Sequence, residues 1–209
     1  METFDRHSHW EHLYKHKSIN EVSWYQPSPD TSLEFIGEFA AERNARIIDV
    51  GGGDSFLADK LLEAGYSNIT VLDISETAVA RAKKRLGDKA RLVRWIVADA
   101  ARFIPDEQYD VWHDRAAFHF LTDEQDIRRY VEAMRQGINE QGFAVMGTFS
   151  EQGPKKCSGI EIRQYSETTL SDRLREFFTK IRCISVDHTT PFETVQNFLF
   201  CSFRKRTGA

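Results

Sequence analysis

The sequence predicts an α/β fold, a three-layer sandwich in which a mostly parallel sheet carries helices on both faces. Three observations predict it. Short apolar, β-branched runs alternate with segments of helical period from Arg46 to Phe149. The first of these runs breaks into glycines that open a helix. The last two runs, Ile181 to His188 and Val195 to Arg204, are joined by the short turn Thr190-Pro191-Phe192 and must therefore pair antiparallel.

Length and composition bound the rest. A chain of 209 residues with 41% hydrophobic and 12% aromatic residues suits one domain with a sizeable core, residues 1–44 forming an N-terminal helical and loop cap and 45–209 the sheet. A net charge of -4 gives no global basic field, so nucleic acid is disfavoured as the main partner. The polar, histidine-rich start, Met1 to Trp10, lacks the features of a secretion signal or transit peptide, and no run is long enough to span a membrane. Cys157, Cys183 and Cys201 are too few and too scattered for a disulfide framework or a Cys-x-x-Cys metal site, which makes a reducing cytoplasm the expected location.

Taken in order, Asp5 to Lys17 reads as a short amphipathic helix with Trp10, Leu13 and Tyr14 on one face. His12 and His16 lie one turn apart but have no accompanying acid or cysteine cluster, so a solvated face is expected rather than a metal site. Ser18 to Asp30 is an extended loop carrying Trp24 and Tyr25, which either plug the core or lie over a ligand. Thr31 or Ser32 caps a helix to about Ala41, with Leu33, Ile36 and Phe39 or Ala40 inward.

Arg46 to Phe56 is the centre of the pattern. Ile47, Ile48 and Val50 form a buried strand, Gly51 to Gly53 let a ligand lie against the main chain, and Ala58, Leu61 and Leu62 belong to the helix that follows. The free N–H groups at such a helix start suit a phosphate or carboxylate. Asp73 ends the second strand, Ile69 to Leu72, 22 residues after Gly51, where a carboxylate can accept from ribose hydroxyls. Ser75 caps a helix with Ala78, Val79, Ala82 and Leu86 inward and Arg81, Lys83, Lys84 and Arg85 on a solvated side. Leu92 to Ala98 is a third strand followed by Asp99-Ala100, and Tyr109 to His113 a fourth that runs into Asp114 to Phe120. Asp123 starts a helix to about Ile138, Gly142 to Phe149 is a fifth strand, and Thr168 to Phe178 a last helix.

Asp49-Val50-Gly51-Gly52-Gly53 before a helix, Asp73 ending strand two, Asp99-Ala100 after strand three and the closing hairpin together resemble the class I S-adenosylmethionine-dependent methyltransferases, over nearly the whole chain. Within that family, Trp10 to Gln26, Tyr109 to Leu121 and Gly153 to Tyr165 resemble small methyltransferase-like proteins whose substrates are mostly unassigned. The resemblance implies seven strands in the order 3-2-1-4-5-7-6, the last antiparallel. It implies S-adenosylmethionine as cofactor and S-adenosylhomocysteine as product. Gly51 and Gly53 would bring backbone against the methionine part, Asp49 would help orient its amino group, and Asp73 would hold the ribose. Asp99 would accept from the adenine amine, the Ala100 N–H would meet a ring nitrogen, Ile74 would pack on the adenine face, and His113 to Arg115 would line the methionine end through main chain. One departure is Ser55, which stands where the family's third glycine falls and which still fits a helix N-terminus. A nicotinamide dinucleotide shares the opening Gly51-x-Gly53 and the acid about 20 residues on, but its fingerprint wants a small residue where Phe56 stands and does not call for Asp99-Ala100.

Methyl transfer from a sulfonium is an in-line displacement that requires an acceptor atom about 3 to 3.5 Å from the methyl carbon. A base is needed only where the acceptor must lose a proton. His119 and Asp114 are the candidate catalytic residues, and Tyr25, Arg115 and Tyr165 are further side chains expected to reach the acceptor. Against a role for His119 stands its place between Phe118 and Phe120, which suits a packed residue equally. Gly153 to Gly159 reads as a flexible connection or as the gate for the acceptor, and Cys157 is given no role. A small-molecule acceptor is expected, with a protein lysine side chain as the alternative, a non-catalytic nucleotide-binding protein or NAD-dependent oxidoreductase ranking below both.

Overall fold

The computed structural model describes residues 4–208, and the start of the polar N-terminal stretch, before Phe4, lies outside them. Five parallel strands occupy the centre: β1 (Arg46–Val50), β2 (Asn68–Asp73), β3 (Val93–Val97), β4 (Tyr109–Arg115) and β5 (Ile138–Phe149). The long strands β6 (Phe178–Thr189) and β7 (Val195–Lys205) complete a seven-stranded sheet of order β3-β2-β1-β4-β5-β7-β6, in which β7 runs antiparallel to both neighbours. This is the topology the resemblance implies. The helices are α1 (Arg6–His16), α2 (Asp30–Phe39), α3 (Leu57–Glu63), α4 (Glu76–Leu86), α5 (Glu124–Gly137) and α6 (Glu167–Leu174).

Apolar side chains alternate along the central strands into two cores, one on each sheet face. Ile48, Trp112 and Met146 meet α5 and α6, while Ile47, Val111 and Val145 meet α2 and α3. Caps fall where short polar side chains allow them: the Asp5 side chain accepts from Ser8 N–H, Ser75 from Ala78 N–H, and Asp123 from Gln125 and Asp126 N–H.

Several local expectations change. Helix α2 starts at Asp30 behind Pro29 rather than at Thr31 or Ser32, and the fully buried Phe35 leads its inner face. Helix α6 ends at Leu174, because Phe178 already belongs to β6 and is buried on the sheet. The basic side of α4 is only half solvated. Lys83 and Lys84 are exposed, but Arg81 donates to the carbonyls of Tyr14 and Lys17 at 2.8 and 2.7 Å, and Arg85 donates to those of Asp54 and Ser55. Two arginines thus tie α1 and the glycine turn to α4. Cys183 and Cys201, facing each other across β6 and β7, are joined as a disulfide, a pairing invisible until register sets them opposite. None of the described helices is long and apolar enough to cross a membrane.

Candidate active site

The carboxyl ends of β1 to β5 open into a cleft, at the edge where open α/β sheets take ligands. Gly51, Asp73, Ile74, Asp99 and Ala100 line it over β1, β2 and β3. Arg115, Ala116, Ala117 and Phe149 line it over β4 and β5. Arg6, Trp10, Tyr14 and Trp24 form the roof, and Phe120, Cys157 and Phe198 close the far end.

At the first strand's end the backbone turns sharply. Gly51 has φ +70° and Gly53 φ +35°, and a Cβ added at Gly51 would stand 2.5 Å from the Ala117 Cβ, so only glycine keeps this turn open to the cleft. A Cβ at Gly53 would stand 2.6 Å from Asp73 Oδ2, so Gly53 gives that carboxylate its room. Ser55 accepts from Leu57 N–H at 3.1 Å and so serves the helix start where the family glycine is missing.

Asp73 is buried, and its Oδ1 accepts from Ser75 N–H at 2.8 Å. Burial, reinforced by the Asp49 and Glu11 carboxylates, pushes it up to about 7 despite that bond. The group is held near its ionisation point and would gain from a hydroxyl donor. Asp99 accepts from Ala101 N–H at 2.9 Å and from Arg6 at 3.3 Å, and Arg6 also pairs with Asp126.

Asp49 and His113 are brought together beneath the turn and do not line the cleft. His113 Nδ1 donates to Asp49 Oδ1 at 2.7 Å, and both side chains are buried. Arg115 reaches the cleft, and both its terminal nitrogens donate to the Trp24 carbonyl at 3.2 Å, while burial lowers its pKa. Tyr25 stands apart from the main cleft. It lines a smaller adjoining cavity with Asp54, Ser55 and Phe56, its ring edge-on to Phe56 at 6.1 Å. Of the aromatic arm, Trp24 packs with Trp10 and Tyr14 and also lines the cleft.

The two candidate catalytic side chains occupy other positions. His119 is fully buried, stacked on Phe149 at 4.5 Å, and absent from the cleft wall. Its Nδ1 accepts from Phe149 N–H at 3.1 Å, which commits the one basic lone pair of a neutral imidazole, and burial pushes its pKa down to about 3. Such a ring cannot collect a proton from an acceptor. Asp114 is equally enclosed. It accepts from Ala117 and Phe118 N–H at 3.0 and 3.1 Å and from the Tyr130 hydroxyl at 2.5 Å, and burial pushes it up to about 6. These bonds hold the turn at Ala116, whose φ of +69° is costly for a residue with a side chain. Asp114 therefore shapes the cleft floor from behind. Tyr165 is also buried outside the cleft, stacked on Phe118 at 5.4 Å.

Sequence reasoning missed the roof contacts. Glu11 on α1 accepts from the Ser75 hydroxyl at 2.7 Å and from Thr77 N–H at 3.1 Å. Burial would raise it, but the hydrogen bonds from Thr77 and Ser75 hold it down at about 2. An acid on a polar helix face gives no sequence signal for such a partner.

Known proteins echo this geometry. A model described as a methyltransferase domain matches residues 47–142, from β1 into β5. Malonyl-[acyl-carrier protein] O-methyltransferase 1 of Ilyobacter polytropus is 25% identical over 167 residues, covering 76% of this chain and 62% of that protein. The eEF1A lysine and N-terminal methyltransferase of Mus musculus is 25% identical over 134 residues, 63% of this chain and 19% of that protein. The chain thus spans less than two thirds of the length of either relative. The N-methyltransferase NodS of Bradyrhizobium japonicum, solved with S-adenosyl-L-homocysteine, shares the fold with a TM-score of 0.71 at 18% identity, over 93% of this chain and 97% of that one. By its strand order and its glycine turn the chain has the fold of these structures, and the stretch that carries the turn and the strand ends is similar to a methyltransferase domain.

Proposed function

We propose that the protein transfers a methyl group from S-adenosylmethionine to a small-molecule acceptor by in-line displacement. One observation carries this reading: Gly51, Asp73 and Asp99, at or just past the ends of three neighbouring strands, wall a single cleft whose other half is lined by aromatic rings. The first half suits an adenosyl group. Asp73 meets the ribose hydroxyls, Asp99 and the Ala100 N–H meet the adenine edge, and Ile74 packs on its face. Gly51 leaves backbone free for the methionine portion, and the Asp49–His113 pair and Gly53 support the turn from beneath.

A sulfonium supplies its own leaving group, so the protein's tasks are to align, to exclude water and to match charge. The roof residues Trp10, Tyr14 and Trp24 exclude water and set aromatic faces against a cation. The same roof favours a small acceptor over a lysine on a protein surface, which needs an open mouth with free acids; Asp99 and Asp126 at that rim are engaged by Arg6. Incubation with methyl-labelled donor, first with a metabolite extract and then with a protein extract, tests this directly. Label in low-mass products supports the reading. Label confined to protein replaces the acceptor class, and no label in either refutes the activity.

A further inference from the structure

We infer that the acceptor is a flat aromatic molecule methylated at a ring nitrogen or thiolate sulfur that already holds a free lone pair. The inference rests on the methyl-donor reading and deepens it. Two features of the acceptor half carry it: the walls are aromatic rings, and among the described residues no side chain on that part of the wall is a free base.

The walls come from distant parts of the chain. Phe149 at the end of β5 meets Phe198 of β7 at 4.7 Å, and Trp10 meets Phe120 at 4.8 Å edge-on, with Trp24 at 5.8 Å from Trp10. Faces and edges so arranged select a flat, polarisable guest, since offset and edge-on ring pairs are the favoured ones.

Among the described residues, the titratable side chains on the cleft wall are Arg6, Tyr14, Asp73, Asp99, Arg115 and Cys157. Arg6 and Arg115 carry protons throughout the useful pH range and accept none. Burial keeps the Tyr14 hydroxyl and the Cys157 thiol protonated at neutral pH. Asp73 and Asp99 end or follow β2 and β3; β5 lies three strands from β2, a separation of about 14 Å at ordinary strand spacing. The titratable groups packed behind the acceptor half are His119 and Asp114, which face Phe149 N–H and the turn amides, His113, tied to Asp49, His188 against Phe198, held by the Ser23 carbonyl and the Gln26 amide, and His9, edge-on to Trp10 and lowered by burial; none of them lies on the cleft wall. A base is therefore absent where one would be needed for a phenol, an alcohol or an ammonium group.

The transfer balances without a proton. The acceptor lone pair forms the bond to the methyl carbon, the carbon–sulfur bond breaks, and its electron pair stays on sulfur as the thioether of S-adenosylhomocysteine. A neutral ring nitrogen becomes an N-methyl cation, whose charge the surrounding ring faces stabilise. A thiolate becomes a neutral thioether, and Arg115 is the nearby cation that would favour it.

The test uses the full chain and S-adenosylmethionine, following S-adenosylhomocysteine formation with quinoline and thiophenol against phenol, benzyl alcohol and benzylamine across neutral pH. The expected result is turnover of quinoline or thiophenol at least about tenfold above the other three. At saturating donor its pH dependence should track the acceptor's own ionisation and be the same in His119→Gln. Phe149→Leu should raise the acceptor KM while leaving donor affinity in place. The inference is overturned by turnover confined to phenol, alcohol or amine, by a protein pKa in the rate profile that His119→Gln removes, or by no turnover of quinoline and thiophenol in a protein that binds S-adenosylhomocysteine by calorimetry. A chain that does not bind S-adenosylhomocysteine at all refutes the donor reading itself and this inference with it.

Discussion

The two halves of the cleft are made by different means. Over β1, β2 and β3 it is made of backbone and carboxylates at or within two residues of a strand end: Gly51, Asp73 and Asp99. Over β4, β5 and β7 it is made of rings delivered from α1, the loop at Trp24, the turn at Phe120 and two strands that pair in the sheet but are far apart in the chain. The polar side chains that the sequence places beside this second half, His119 and Asp114, are turned inward and spent on main-chain N–H groups. On the proposed reading, recognition in one half would depend on fixed hydrogen-bonding groups, and in the other on shape and ring faces. Each can be broken without the other.

The largest expected effect is at Gly51. Gly51→Val demands φ +70° from a β-branched residue and drives its Cβ into Ala117. Donor affinity by calorimetry should fall by at least about a hundredfold, on the scale of the several kcal/mol that combined strain and overpacking cost. Near-normal affinity would mean that the turn is not in contact with the donor.

The Asp73 carboxyl separates the halves by pH. Held at about 7 in the folded chain, it would on the proposed reading accept more strongly from ribose hydroxyls when ionised, so donor affinity should weaken as pH falls below about 7, by at most about tenfold per unit. Asp73→Asn should bind more weakly and lose this dependence. The folded value lies above the ordinary 3.8, so between the two the folded chain binds more protons than the unfolded one, and stability falls as pH rises through that window. Asp73→Asn should accordingly be more stable than the parent above pH 7, by about 1 to 3 kcal/mol in denaturant titrations.

Behind the acceptor half the expected losses are structural. Asp114→Asn keeps an oxygen for the Ala117 and Phe118 N–H groups but removes the acceptor of the Tyr130 hydroxyl, and should cost about 1 to 3 kcal/mol of stability with donor affinity changed less than about threefold. A variant that keeps its stability and loses only turnover would restore Asp114 as a catalytic group. The smallest effect belongs to Arg6, a partly exposed residue at the rim. Arg6→Gln should cost about 0.2 to 1 kcal/mol of stability and shift donor affinity by less than about fivefold.

The contrast also explains what was legible in the sequence. The donor half follows local rules: a glycine turn after a β-branched strand, an acid closing the next strand, and the alternation that sets strand order. The hairpin was legible from its short turn, though not the Cys183–Cys201 pairing that its register creates. Arg6, Tyr14, Phe149 and Phe198 in the cleft wall were not legible, because the residues they meet lie far off in sequence. His119 and Asp114 misled for a different reason. They are chemically suited residues in a suitable turn, but the left-handed backbone at Ala116 and the amides around it consume their hydrogen-bonding capacity, and sequence does not report which way a side chain turns.

Calorimetric titration of S-adenosylhomocysteine into the parent chain and Asp73→Ala tests the central claim most directly. The parent should bind, and the variant should bind more weakly by about 1.5 to 3 kcal/mol, the scale of lost charge-assisted hydrogen bonds. No binding to the parent, or equal affinity in both, would contradict the account.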